Sequence, residues 1–188
     1  MLKEKPRTHT CVCPWWLAPS LDNPLRRLIQ DPDRLLSGLV SEGQAALDIG
    51  CGPGYFTLPL ARRVGAVGQV VAIDLQREML EIVQRKATQA GLLDRITLHN
   101  AKPETLGVRE HFDFALAFWM LHEVPDQGAL LRQVHDLLKP GGSLLVVEPR
   151  LHVPAWAFQK TVETAIQAGF TLTRPVKVSL SRAVLFSL

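Results

Sequence analysis

The sequence predicts an open, doubly wound α/β fold in which parallel strands alternate with helices. Three observations predict it. From residue 45 onward, short apolar runs rich in Val, Ile and Leu alternate with stretches whose apolar residues recur at helical spacing. A glycine cluster at 50–54 separates the first run from the first helical stretch. Strands divided by helices need right-handed crossovers, and these build a parallel sheet with helices on both faces.

Taken in order, 45–49 reads as a buried strand, 55–64 as a helix and 70–74 as a second strand. The helix expected over 76–90 buries Met79, Leu80, Val83 and Ala87 and stops at Gly91, a C-cap glycine. Residues 96–99 and 112–119 supply the third and fourth strands. An amphipathic helix over 126–138 turns Leu130, Leu131, Val134, Leu137 and Leu138 inward, and Lys139-Pro-Gly-Gly leads into a fifth strand at 143–148. The tail breaks the alternation. A helix over 154–168 closed by Gly169 is followed by two β-rich runs, 170–178 and 182–186, with too few residues between them for a crossover. They can pair only as an antiparallel hairpin.

Ahead of the sheet, Asn23-Pro24 and Asp31-Pro32 each set an N-cap residue before a proline at the first helical position. Leu25, Leu28 and Ile29, then Leu35, Leu36, Leu39 and Val40, give these helices apolar stripes. Residues 1–44 are expected to form an arm and helices that cap a site built by residues 45–188.

Bulk properties narrow the function. Of 188 residues, 47% are hydrophobic and 21% charged, which fits one globular unit. Its 21 basic residues are diluted by 18 acidic ones to a net charge of +3, with no block of like charge, so no nucleic-acid partner is expected. No apolar run reaches the ~20 residues that span a bilayer, and the start lacks a signal-peptide pattern. Three cysteines, an odd count, fit reduced thiols and a cytoplasmic home. A monomer or homodimer is expected.

The glycine cluster carries the chemistry. It lets backbone approach a ligand and is expected to aim free N–H groups at it. A dinucleotide fingerprint would put its third glycine at position 55, where this chain has Tyr55, and no Gly-Lys-Ser/Thr follows to make a P-loop. Asp48 stands two residues before Gly50, Gly52 and Gly54. An acid there suits a cation and opposes a pyrophosphate. S-adenosylmethionine carries an ammonium and a sulfonium and no phosphate. Asp74, at the end of the second strand, can accept both ribose hydroxyls of an adenosine; an acid there also commonly caps the next helix.

Four stretches resemble class I S-adenosylmethionine-dependent methyltransferases of the ubiquinone/menaquinone-biosynthesis type. They are Ala46-Leu-Asp-Ile-Gly-Cys-Gly-Pro-Gly-Tyr-Phe-Thr, Val71-Ala-Ile-Asp-Leu, Phe112-Asp-Phe-Ala-Leu-Ala-Phe and Leu138-Lys-Pro-Gly-Gly-Ser-Leu-Leu-Val-Val-Glu-Pro. The resemblance spans residues 45–149. It implies a Rossmann-like, seven-stranded sheet of order 3-2-1-4-5-7-6 with the last strand antiparallel. It also implies that Asp48, Gly50, Cys51, Gly52 and Gly54 hold the methionine end of the cofactor, that Asp74 takes the ribose, and that Leu75 and Met79 flank the adenine. Asn100-Ala101 stands where the family commonly has Asp-Ala, and an amide oxygen can still accept from the adenine amine. Ala117, Phe118 and Trp119, at the end of the fourth strand, complete the expected cofactor wall. The product would be S-adenosylhomocysteine.

Methyl transfer needs a nucleophile placed in line with the methyl, and a base only if the nucleophile arrives protonated. The fourth strand ends near Trp119, His122 and Glu123, the fifth at Glu148 and then His152. His122 is expected to act as base or substrate-orienting group, with Glu123, Glu148 or His152 as partner; the other reading makes all four loop residues that cap helices or face water. In the arm, Trp15 and Trp16 are expected to join Trp119 in a substrate pocket for a small-molecule acceptor. His9, Cys11 and Cys13 are too few and too closely spaced for a closed zinc site. They leave open methylation of a metalloid or a thiol at Cys11 and Cys13. Two rivals remain: a nicotinamide-dependent oxidoreductase, opposed by Tyr55 and Asp48, and a non-catalytic S-adenosylmethionine-binding protein.

Overall fold

Side chains of the central strands are apolar on both faces, so the sheet must be covered on both. The computed structural model describes residues 13–18, 22 and 24–188. Its strands are β1 (Ala45–Ile49), β2 (Gln69–Asp74), β3 (Ile96–Asn100), β4 (Phe112–Phe118), β5 (Leu138–Pro149), β6 (Thr171–Pro175) and β7 (Ser181–Ser187). They lie in the order β3-β2-β1-β4-β5-β7-β6. β1 to β5 pair in parallel, while β7 pairs antiparallel with both β5 and β6. The Rossmann-like order and the closing hairpin are those expected.

Alternation along the strands divides the core in two. Ala46, Ala72, Phe114, Leu116 and Leu145 pack on the face covered by α2 (Pro32–Leu36), α3 (Thr57–Arg63) and α4 (Arg77–Gln89). Leu47, Ile49, Ile73, Ala115 and Val146 pack on the face covered by α5 (Gln127–Leu137) and α6 (Ala155–Gln167). α4 presents Met79, Leu80, Val83 and Ala87 inward, at helical spacing.

Two boundaries beside the site differ from the sequence reading. β5 starts at Leu138 rather than 143, because Lys139-Pro-Gly-Gly stays in the ladder through an irregular register opposite Phe112 and Phe114. α3 starts at Thr57 rather than 55. Tyr55 is turned aside, its hydroxyl donating to the Gln30 carbonyl at 2.6 Å. That bond ties α1 (Pro24–Ile29) and α2 to the glycine loop.

Asp31 caps α2 as expected, accepting from the N–H groups of Asp33 and Arg34, whereas Asn23 lies outside the described residues. Leu36 is fully buried and Val40 nearly so; burying each contributes about 2 kcal/mol. The stripe expected on α1 is corrected for two of its three residues: Leu28 is 83% exposed and Ile29 45%, and the Leu25 side chain lies outside those described. Among the described residues no helix is long and apolar enough to cross a membrane.

Candidate active site

β1 has β2 on one side and β4 on the other, so the direction of strand succession reverses between β1 and β4. Open α/β sheets form a crevice beyond the carboxyl ends of the strands at that point. Here the crevice is a cavity of about 710 Å³. Its floor is the loop from Gly50 to Pro53. Gly50 has φ +66°, and a Cβ there would stand 3.0 Å from Met120 beyond β4, so only glycine lets the loop pass so close.

The amides of Cys51, Gly52 and Gly54 are not presented to a ligand, which corrects the expectation for those residues. Cys51 N–H donates to the Ile73 carbonyl, Gly54 N–H to the Cys51 carbonyl, and Gly52 N–H to Asp74 Oδ2 at 2.9 Å. Pro53 has no N–H. A loop without a free donor from 51 to 54 cannot cradle a pyrophosphate. Two acids stand beside it instead.

Asp48 is buried and accepts a 2.6 Å hydrogen bond from Thr57 Oγ1. Burial lifts its carboxyl to about 7, against the Thr57 bond and helped by the charge of Asp74. Asp74 is also pushed up by burial, against the backbone N–H groups of Gln76, Gly52 and Leu75. Two reluctant carboxylates beside a donor-poor loop form a site for a cation. The residues present thus fit S-adenosylmethionine.

A titration consequence follows. Between about pH 4 and 7 the folded chain holds a proton on Asp48 that the unfolded chain releases, so stability of the ligand-free protein falls as pH rises through that window. A bound cation favours the ionised form. Affinity for S-adenosylmethionine is therefore expected to weaken roughly tenfold from pH 7.5 to pH 6. Calorimetry across that range checks it, and Asp48→Asn should flatten the profile.

Across the cavity, Glu148 is 1% exposed and holds His122 twice. Oε1 accepts from the His122 backbone N–H at 3.1 Å, and Oε2 meets Nδ1 at 2.5 Å. Burial works against protonation of the ring, but the hydrogen bond and charge of Glu148 and the charge of Glu123 outweigh it and hold His122 above its ordinary value. The His152 ring lies 6.0 Å away, centroid to centroid. Of the three proposed partners, Glu148 is the one in contact. Glu123 instead accepts from the Cys13 backbone N–H at 3.3 Å, and burial raises its carboxyl against that bond.

The expected cofactor residues divide by location. Asp48, Gly50, Cys51, Gly52, Asp74, Leu75, Met79, Ala101, Phe118 and Trp119 line the cavity. Gly54 packs beneath it, where a Cβ would come within 3.1 Å of Leu58 and Val83. Ala117 is buried in the core. Asn100 is outside the lining, its Nδ2 donating to the Asp74 and Leu75 carbonyls; it braces the end of β2.

The placing of Trp15 and Trp16 in the pocket is corrected. The two residues are 45% and 64% exposed and lie outside the lining. The arm is held by backbone, not by indoles. Cys13 N–H reaches Glu123, the Cys13 carbonyl accepts from Gln76 Nε2 at 2.8 Å, and Trp15 N–H donates to Gln76 Oε1 at 2.9 Å. Residues 13–15 thus strap Gln76, beyond β2, to Glu123, beyond β4. Cys11 and His9 lie outside the described residues, and among those described no group of three or more His, Cys, Asp or Glu is gathered as metal ligands are.

Sequence reasoning missed Arg26 and Thr57. The Arg26 guanidinium stands 4.1 Å from the Tyr55 ring centroid and 4.6 Å from that of Trp119, in a box completed by Phe118. Trp119 adopts φ +58°, a costly conformation for a bulky residue. Its indole N–H donates to Ser181 Oγ at 3.0 Å.

Fold and cavity together define a class: an open α/β protein whose switch-point crevice offers carboxylates to a cation and few loop N–H groups to a phosphate. Residues 46–142, half of the chain, match the family described as a methyltransferase domain. Over 109 residues the chain is 32% identical to demethylmenaquinone methyltransferase of Bacillus velezensis, covering 58% of this chain and 47% of that one. Over 110 residues it is 36% identical to ubiquinone/menaquinone biosynthesis C-methyltransferase UbiE of Haemophilus ducreyi, covering 58% and 42%. It spans about half the length of the curated relatives it matches. In fold it resembles a SAM dependent methyltransferase from Aquifex aeolicus, with a TM-score of 0.84 at 24% identity over 94% of this chain and 99% of that one. The chain belongs to the methyltransferase domain family, and S-adenosylmethionine is its cofactor.

Proposed function

We propose that this protein transfers a methyl group from S-adenosylmethionine to a small, planar, weakly acidic acceptor of the phenol or quinol kind, in the cytoplasm. The observation that carries this reading is the His122–Glu148 pair on the wall of the cavity that also holds Asp48 and Asp74. The cofactor supplies an electrophilic methyl on a sulfonium. Asp48 offers negative charge to its cationic end, and Asp74 offers carboxylate oxygens to the ribose. Leu75 and Met79 give the adenine an apolar bed.

On the acceptor side, Glu148 engages Nδ1 and leaves Nε2 of His122 to take the acceptor's proton or to orient its oxygen. Phe118 and Trp119 give the same cavity an aromatic wall, against whose edge a flat ring can rest. Two relatives carry names that refer to demethylmenaquinone or to ubiquinone and menaquinone biosynthesis, which supports a ring of that type. Residues 1–44 act as the cap and residues 45–188 as the methyltransferase unit.

The test is transfer of label from methyl-labelled S-adenosylmethionine to phenols and hydroquinones, run beside thiols and arsenite. Labelled phenols or hydroquinones are expected. Labelling of thiols or arsenite alone would move the reaction to the cysteines, and binding without any turnover would favour a non-catalytic cofactor-binding protein. The strap has its own test. Deleting residues 1–22 removes the Cys13 and Trp15 peptide groups that join Gln76 to Glu123 and is expected to raise the acceptor KM about tenfold. Steady-state kinetics unchanged by the deletion would show that the arm does not cap the site.

A further inference from the structure

A second cavity, of about 880 Å³, lies between α1–α2 and the β6–β7 hairpin. Its lining includes Arg34, Arg150, Arg174, Lys177 and Arg182, and one acid, Asp31. Five cations less one carboxylate leave +4 in this groove, against +3 for the whole chain, so the rest of the molecule is close to neutral. Asp31 is turned to α2, whose first N–H groups its carboxylate accepts. None of the five cations forms an ion pair among the described residues.

One guanidinium of the groove is held by backbone: Arg150 Nε donates to the Ser181 carbonyl at 2.9 Å, which leaves its Nη groups for a ligand, while Arg182 Nη1 is tied to the Val153 carbonyl at 2.8 Å. Beside the cations lie Leu28, Ile29, Leu39 and Val176. The groove adjoins the cofactor cavity through a shared wall. Ser181 accepts from Trp119 and lies 3.4 Å from Gln30 Nε2.

We propose that this groove is a second ligand site, which binds a phosphate-bearing amphiphile through its arginines. Four of its five cations are Arg, whose planar fork matches phosphate oxygens two at a time. A monocarboxylate would leave most of the charge unanswered; a phosphomonoester, at about −2, answers half of it and a diphosphate more. The apolar side chains take the part of the ligand next to the phosphate. A soluble phosphorylated compound and a lipid headgroup share this chemistry, and the experiment separates them.

Calorimetry with inorganic pyrophosphate, and co-sedimentation with vesicles of phosphatidic acid in phosphatidylcholine against phosphatidylcholine alone, are run on the full chain and on the double variant Arg174→Glu, Lys177→Glu. Both residues are exposed and outside the cofactor cavity. Binding of pyrophosphate assigns a soluble ligand; selective sedimentation with phosphatidic acid assigns a headgroup. In either case the double variant should bind roughly tenfold more weakly or worse, because two charge-assisted contacts turn repulsive. Its S-adenosylmethionine affinity should be unchanged, which certifies that it is folded. No binding of either probe by the full chain, or undiminished binding by the variant, overturns the proposal.

Discussion

Replacing His122 by Ala is expected to slow methyl transfer about 10²- to 10⁴-fold while leaving the cofactor's Kd within about twofold of its original value. The reason is the division of labour across the cavity. His122 lines the wall beyond β4, away from the carboxylates at the tips of β1 and β2, so its loss empties the acceptor side alone. The pH profile gives an independent readout. Glu148 and Glu123 hold the ring above its ordinary value, so the rate should rise with pH through a midpoint above 6.5. Glu148→Gln removes the dominant charge, and the midpoint should move down. A His122→Ala enzyme with an undiminished turnover number on its proper acceptor would remove His122 from the chemistry, and a midpoint unmoved by Glu148→Gln would remove the pair.

Asp74→Ala is expected to weaken S-adenosylmethionine binding about 100-fold, the scale of one or two hydrogen bonds made to a charged group. Asp74 also accepts from Gly52 and Gln76, so the glycine loop loses a backbone anchor at the same time. Comparison with Asp74→Asn separates these roles. The amide keeps an acceptor oxygen for a backbone N–H but loses the charge, so its melting temperature should stay near that of the parent while cofactor affinity still falls. An Asp74→Ala protein that bound the cofactor as tightly as the parent would exclude the ribose assignment.

The fold was legible because its two periodicities are clean. β1, β2, β4 and β5 are apolar on both faces, and α4 and α5 keep their buried residues three and four apart, so the alternation of elements showed without any long-range information. The short spacing before β7 required a hairpin. Asp48 and Asp74 were legible for a related reason: their positions are set by where strands end, and strand ends follow from the pattern.

Legibility failed wherever a backbone group chose its partner across the sheet. The loop amides bond to Ile73 and Asp74, residues of β2, and nothing in Cys51-Gly-Pro-Gly announces that. The tryptophans of the arm read as buried anchors, yet the arm is fastened by the peptide groups of Cys13 and Trp15, which leave no mark in composition. Which acid serves His122 depended on the β4–β5 register, where Phe118 stands opposite Val147 and the next residue is Glu148. Arg26 lies over rings contributed by the first loop and by the end of β4, a meeting that only the folded chain brings about.

The hairpin has a bearing on how the enzyme comes into being. β7 follows β6 in the chain but lies inside it in the sheet, bonded to β5 along seven residue pairs from Ser143 opposite Ser187 to Pro149 opposite Ser181. During synthesis, then, the ribosome releases the outer strand before the inner one. Until β7 emerges, the Leu144–Val147 stretch of β5 is an open, apolar margin able to recruit a strand from a neighbouring nascent chain. The same late segment delivers Ser181 to Trp119. Closing the vulnerable margin and finishing the aromatic wall are therefore one event, and a chain halted short of it has neither.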